Sequence, residues 1–236
     1  MHGPRVLLVR IIGRVAVRLG LLAILIAVLL VVTETLPPEW RPGADLDVAA
    51  PVTPLTRLKL LRALRSPEAC HAALATTADF QTLPPLEGEG MCGIPDRVRL
   101  SRVGGAAIPL ETACGTALRL AMWERHVLQP AARETAGTGV TALHHQGSYN
   151  CRAIRGGRRL SSHATAAAVD IRAVTLADGR RLELAPEWGR PGQAGALWMA
   201  LRDGACDWFR TVLGPDYDAN HADHLHLQTT GWGTCR

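Results

Sequence analysis

The chain has 236 residues, 47% of them apolar, which suits one folded domain or one domain with a tether. Only 4% of residues are aromatic, so the core must come mainly from Ala, Leu and Val. The net charge of +5 owes most of its excess to Arg5, Arg10, Arg14 and Arg18, which precede an apolar block. Without these four the chain is nearly balanced, and nucleic-acid binding gains no support from the charge.

The apolar block, LGLLAILIAVLLVVT from Leu19 to Thr33, carries no charge. It is short against the roughly 20 residues of a membrane-spanning helix, but Ala16 and Val17 extend it and Arg18 can snorkel to the headgroups. The arginines predict a cytoplasmic N-terminus, with the rest of the chain across the membrane. A cleaved signal peptide has the same order of charge and apolar core. No small-x-small site follows the block, so residues 1–36 read as a basic segment and an uncleaved single-pass anchor. The expected setting is the inner (cytoplasmic) membrane, with the C-terminal domain in the periplasm.

Residues 37–57 are rich in Pro and small residues and predict a linker. The domain, residues 58–236, begins with leucines and alanines at helical spacing, split by Pro67 into two short helices. CGIPDRVRLSRVGGAAIPL has the β-branched runs and Pro/Gly punctuation of strands. The strongest helical period follows, through Ala117, Leu120, Ala121 and Leu128, with Pro130 inside it and Gly137 at its end. GVTALHHQG predicts a strand, VDIRAVTL a second, and ADGR a hairpin turn between the latter and RLEL. Residues 194–213 predict a helix and HLHLQTTG a last strand. Helices and short strands alternate without a βαβ rhythm, which predicts an α+β domain with a small, mainly antiparallel sheet and flanking helices.

Six cysteines, even in number and with no Cys-x-x-Cys pair, suit disulfides in an oxidising compartment. Sequence cannot choose their pairing; the expectation set down here is Cys206 with Cys235, which would staple the segment carrying the last histidines.

Two segments carry candidate chemistry. SSHATAAAVDIRAV places His163 and Asp170 in a small, apolar run, and HADHLHLQ places His224 and His226 two apart. A hydrolytic zinc needs three protein ligands and an open position. His163 and Asp170 offer a nitrogen and an oxygen, and His226 a third donor. On a strand His224 and His226 share a face, about 6–7 Å apart, so His224 can stand beside the site as general base. Asp223 and Leu225 would face the other way. A carboxylate at Asp170, in an apolar run, costs stability unless paired or metal-bound. Upstream, Arg152 in the turn GSYNCR can hold a carboxylate or an oxyanion. His221 is a candidate for substrate contact. His144 and His145, adjacent on a strand, read as structural.

Together GSYNCRAI, LSSHATAAAVDIRAVTLADG and HADHLHLQ resemble the bacterial extensin-like C-terminal domain. That domain is in turn similar to the zinc peptidases of the D-Ala-D-Ala carboxypeptidase and murein endopeptidase group. The resemblance covers about residues 60–236. It implies Zn2+ on His163, Asp170 and His226, with His224 as catalytic partner, Arg152 as the basic residue after the turn, and Ser161 two residues before the first ligand. The implied protein is a membrane-anchored zinc hydrolase of peptidoglycan stem peptides. The alternative is a non-catalytic domain that binds peptidoglycan or another envelope polymer, or serves structurally. The peptidases place Gly where this chain has Ala166. If that position needs a positive φ, Ala166 costs on the order of 1 kcal/mol.

Overall fold

The computed structural model describes residues 4–154, 157 and 159–236. Helix α1 (Pro4–Thr35) contains a stretch long and apolar enough to cross a membrane, Ile12–Thr35, of 24 residues, whose most apolar part has mean hydropathy 3.0 and is not buried against the domain. That length matches a bilayer's hydrocarbon thickness. Two short helices follow, α2 (Thr56–Ala63) and α3 (Pro67–Leu74). Ser66 separates them by capping α3, its side chain accepting from the Ala69 amide, with Pro67 in the first turn.

Segment 37–57 departs from a loose linker. Apart from a 3₁₀ turn at Pro38–Trp40 and the start of α2 at Thr56 it has no regular structure, yet Leu46 and Val48 are buried in the domain core. Pro supplies the irregular backbone, and two apolar side chains with core pockets to fill pin it down. The Val48 carbonyl meets His126 Nε2 at 3.0 Å, and the Val48 amide donates to Thr76 Oγ1 at 3.0 Å.

Strands β1 (Ala78–Thr82), β4 (Arg97–Val103), β5 (Ala106–Ala113), β6 (Val140–Gly147), β7 (Ala168–Leu176), β10 (Leu225–Gln228), β9 (Thr211–Leu213) and β11 (Thr234–Cys235) lie side by side in that order. β8 (Arg181–Glu183) also pairs with β7, making nine strands. A two-stranded hairpin, β2 (Leu86–Glu87) with β3 (Gly93–Ile94), stands apart. The α+β reading holds and most pairings are antiparallel, those of β5 with β6 and β9 with β11 being parallel. The sheet is larger than the small one expected, because two- and three-residue strands give too little alternation to be seen in sequence.

The long helical period becomes α4 (Cys114–Trp123), a π turn at Glu124–Leu128, and α5 (Gln129–Ala136), which ends on Gly137 at φ 74°. The π turn accommodates Pro130, whose missing amide would break a regular helix. Further on come α6 (Leu184–Glu187) and α7 (Gln193–Ala205). The expected helix over 194–213 therefore stops at Ala205, and Thr211–Leu213 joins the sheet as β9.

One apolar cluster joins the sheet to the helices: Leu100, Ile108, Leu110, Val169, Ile171, Leu225 and Leu227 meet Leu118, Trp123, Leu128, Leu197 and Trp198. In β7 the core phase changes from Val169 and Ile171 to Val174 and Leu176. Arg172 causes the change as an extra residue, since His145 pairs with Ile171 and His144 with Ala173. The disulfides are Cys70–Cys114, Cys92–Cys151 and the expected Cys206–Cys235. They fit a compartment outside the reducing cytoplasm.

Candidate metal centre

Asp170 and His226 are directly opposed in the β7–β10 ladder, on the face turned away from the core. His163 reaches the same point from the 3₁₀ turn Ser162–Thr165 that leads into β7. His226 Nδ1 lies 2.8 Å from Asp170 Oδ1, His163 Nε2 lies 3.2 Å from Asp170 Oδ2, and the two ring nitrogens are 3.2 Å apart. Tetrahedral zinc with N and O ligands sets its donors about 3.3 Å apart.

The outer hydrogen bonds decide which ring nitrogens carry lone pairs. His163 Nδ1 faces the Ser148 carbonyl at 2.9 Å, and a carbonyl only accepts, so Nδ1 holds the proton and Nε2 is left as a donor to a metal. His226 Nε2 faces Gln228 Oε1 at 3.1 Å. The amide nitrogen of Gln228 is engaged with Thr230, so its oxygen accepts and His226 Nδ1 is the free donor. Three electron-pair donors thus converge in a buried place, and only a cation or an added proton can satisfy them. Among the described residues these three form a group able to hold a metal ion.

Protonation shows the same demand for positive charge. Burial would raise the Asp170 carboxyl, but hydrogen bonds and charge from His163 and His226 outweigh it and hold Asp170 well below the ordinary carboxylate range. Burial pulls His163 down, and the hydrogen bond and charge of Asp170, aided by Ser148, reverse this and raise it. A divalent cation would replace the proton in that arrangement.

His224 is buried beside the cluster, with Nε2 3.6 Å from Asp170 Oδ1 and Nδ1 2.8 Å from Asp223 Oδ1. It lines the same cleft as His226, although it lies one residue before β10. Asp223 does not turn away as expected. It precedes β10, where strict alternation has not begun, and its carboxylate also accepts from Gln146 Nε2 at 2.9 Å. The His224 hydrogen bond is the main cause holding Asp223 below the usual carboxylate range. Asp223 is a site residue that sequence reading missed, and its place next to His224 was the available signal.

A cleft of about 740 Å³ opens over the cluster, lined also by Arg152, Ile154, Tyr217, His221 and Gln228. Arg152 is exposed at its rim, one residue after the Cys92–Cys151 disulfide that fixes the turn. His221 bonds Asp218 Oδ1 at 2.7 Å through Nδ1, and its ring lies 5.4 Å from that of His224 and 5.6 Å from that of His226. Burial is the main cause lowering His221. Ser161 lines the cleft as well, but its hydroxyl is engaged, accepting from the His163 amide at 3.3 Å as the cap of the ligand turn. His144 and His145 bond Thr175 Oγ1 and the Pro109 carbonyl and stay outside the cleft lining.

Ala166 has φ 49° and ψ 29°, the only non-glycine positive φ among the described residues. Its carbonyl accepts from the buried Thr116 hydroxyl at 2.7 Å. Ser148 Oγ donates to the Ala168 carbonyl at 2.6 Å and accepts from Thr112 Oγ1, also at 2.6 Å. This hydroxyl layer holds the left-handed turn between His163 and Asp170 in place.

A family model described as extensin-like protein C-terminus matches residues 68–236, from early in α3 to the last residue. No curated protein matches the chain, and no solved structure does.

Proposed function

We propose that this chain, which belongs to the extensin-like protein C-terminus family, is a membrane-anchored, zinc-dependent hydrolase of peptidoglycan stem peptides. The observation that carries the reading is the convergence of His163 Nε2, Asp170 and His226 Nδ1, with Nε2 of His224 3.6 Å from Asp170 Oδ1 beside them. The same residues are the ones that the likeness of the extensin-like domain to the D-Ala-D-Ala carboxypeptidase and murein endopeptidase group implies as ligands and neighbouring base. The anchor and disulfides favour the inner membrane, with the domain in the periplasm, where that polymer lies.

Zinc held by His163, Asp170 and His226 would polarise the scissile carbonyl and make water acidic enough to react near neutrality. His224 takes the attacking water's proton at Nε2, because Asp223 keeps the other proton on Nδ1 and fixes the ring. His224 can then return a proton to the leaving amine. Arg152, exposed on the cleft rim, meets either the developing oxyanion or a terminal carboxylate of the stem peptide. His221 and Ser161, which also line the cleft, border the substrate.

The test is metal analysis of the full chain after gentle purification, combined with digestion of purified sacculi. The reading expects one zinc per chain and new muropeptides. His163→Ala should lose the zinc, whereas His224→Ala should keep it and lose about 10²–10⁴-fold in rate. Sedimentation with sacculi without new products would favour a binding domain, and absence of stoichiometric metal would end the zinc reading.

A further inference from the structure

Helix α2 presents an unusual outward face, one directly linked to the end of the membrane span. Thr56, Lys59, Leu60 and Ala63 point into the domain. The opposite side carries Leu58, Leu61 and Arg62, at i, i+3 and i+4, and is exposed, as is Arg65 in the turn that follows the helix. Leu58 and Leu61 are 41% and 56% accessible, large apolar side chains left facing outward. Residues 56–65 contain Arg57, Lys59, Arg62 and Arg65 and no acidic residue.

The chain between α1 and α2 is fastened to this helix. Lys59 Nζ donates to the Pro38 carbonyl at 2.6 Å, Arg62 donates to the Pro42 carbonyl, and Thr53 Oγ1 donates to the Glu39 carbonyl at 3.0 Å. Arg41 Nε donates to the Leu36 carbonyl at 2.6 Å, immediately after α1. Trp40 is about half exposed on the same turn, five residues beyond the apolar span. An exposed Trp at that depth suits the headgroup region, where its ring is apolar and its N–H polar. The segment is therefore a short, bonded strap and not a flexible spacer.

We propose that α2, with Trp40, docks on the surface of the bilayer that α1 crosses, Leu58 and Leu61 entering the headgroup–acyl boundary and Arg62 and Arg65 meeting anionic lipid phosphates. Two observations select this occupant: continuity with the membrane span, and the exposed Arg62 and Arg65 beside the leucines with no acidic residue between 56 and 65. The domain would then be held close against its own membrane with one face down. The inference stands apart from the hydrolase reading and does not need it.

The test uses the full chain in nanodiscs of phosphatidylglycerol and phosphatidylcholine that include a phospholipid with a photoreactive acyl chain. After illumination and proteolysis, mass spectrometry maps the lipid adducts. Adducts are expected on α1 and again on Trp40 and residues 57–62, with none on Met91, which is 81% exposed beside the cleft disulfide. Leu58→Ser with Leu61→Ser should lower the α2 adducts about tenfold and leave those on α1 unchanged. Leu61→Ser alone is the milder variant that carries the test if the pair unfolds. Adducts confined to α1, or equally strong on Met91, would overturn the proposal.

Discussion

On one face of β7 and β10, Val169, Ile171, Leu225 and Leu227 are wholly buried against the helices; on the other, Asp170 and His226 oppose each other and meet His163. The residues are sequence neighbours, but their demands differ. The apolar face is satisfied by volume and shape, and any well-packed side chain of similar size serves. The polar face buries three electron-pair donors that repel unless a positive charge joins them. One strand pair thus carries stability and chemistry on alternate residues, and each can be disturbed almost without the other.

The sharpest break in that comparison comes from adjacent substitutions. Asp170→Asn removes the negative ligand but preserves shape, so zinc content and hydrolysis should fall to background while the melting curve stays cooperative. Ile171→Ala should do the reverse, lowering unfolding stability by about 2–5 kcal/mol with zinc still bound below the transition. Metal analysis and denaturant titration of both variants check this. If Ile171→Ala loses zinc while folded, the two faces are coupled and the separation fails.

A smaller effect concerns the support of the base. Asp223→Ala removes the partner of His224 Nδ1 without touching the three donors. Its kcat should fall about 10–100-fold, with KM and zinc content little changed. A purely structural Asp223 would instead show as a lower melting temperature and unaltered kcat.

Periodicity made much of this arrangement legible. HLH and VDIRAV marked His226 and Asp170 as strand residues, and the structure opposes the two in one ladder. The split at Pro67, the hairpin at Asp178–Gly179 and the Cys206–Cys235 pair were also readable, since each rests on local chemistry. What escaped was nonlocal or too short to have a period. Ser148 orients His163 from fifteen residues away through a backbone carbonyl, which no side-chain pattern records. Asp223 sits just before its strand, where alternation does not yet apply. Leu46 and Val48, single apolar residues in a Pro-rich stretch, gave no sign that the strap joins the core.

The finest test lies between His163 and Asp170. Ala166 occupies a left-handed conformation that a Cβ disfavours by about 1–2 kcal/mol, and it does so fully buried. The Thr116 hydroxyl on its carbonyl offsets part of that cost and holds the turn in register with His163. Ala166→Gly would relieve the strain and add backbone freedom to the unfolded chain, a penalty of about 0.4–1 kcal/mol. The net gain should be about 0.5–1 kcal/mol, a rise of roughly 1–4 °C in melting temperature for a domain of this size. Zinc affinity should stay within a few-fold, because the hydroxyl layer and not the side chain at 166 sets the turn. A large fall in affinity on Ala166→Gly would mean that the methyl group itself packs the ligand loop into shape, and that the hydroxyls merely follow it.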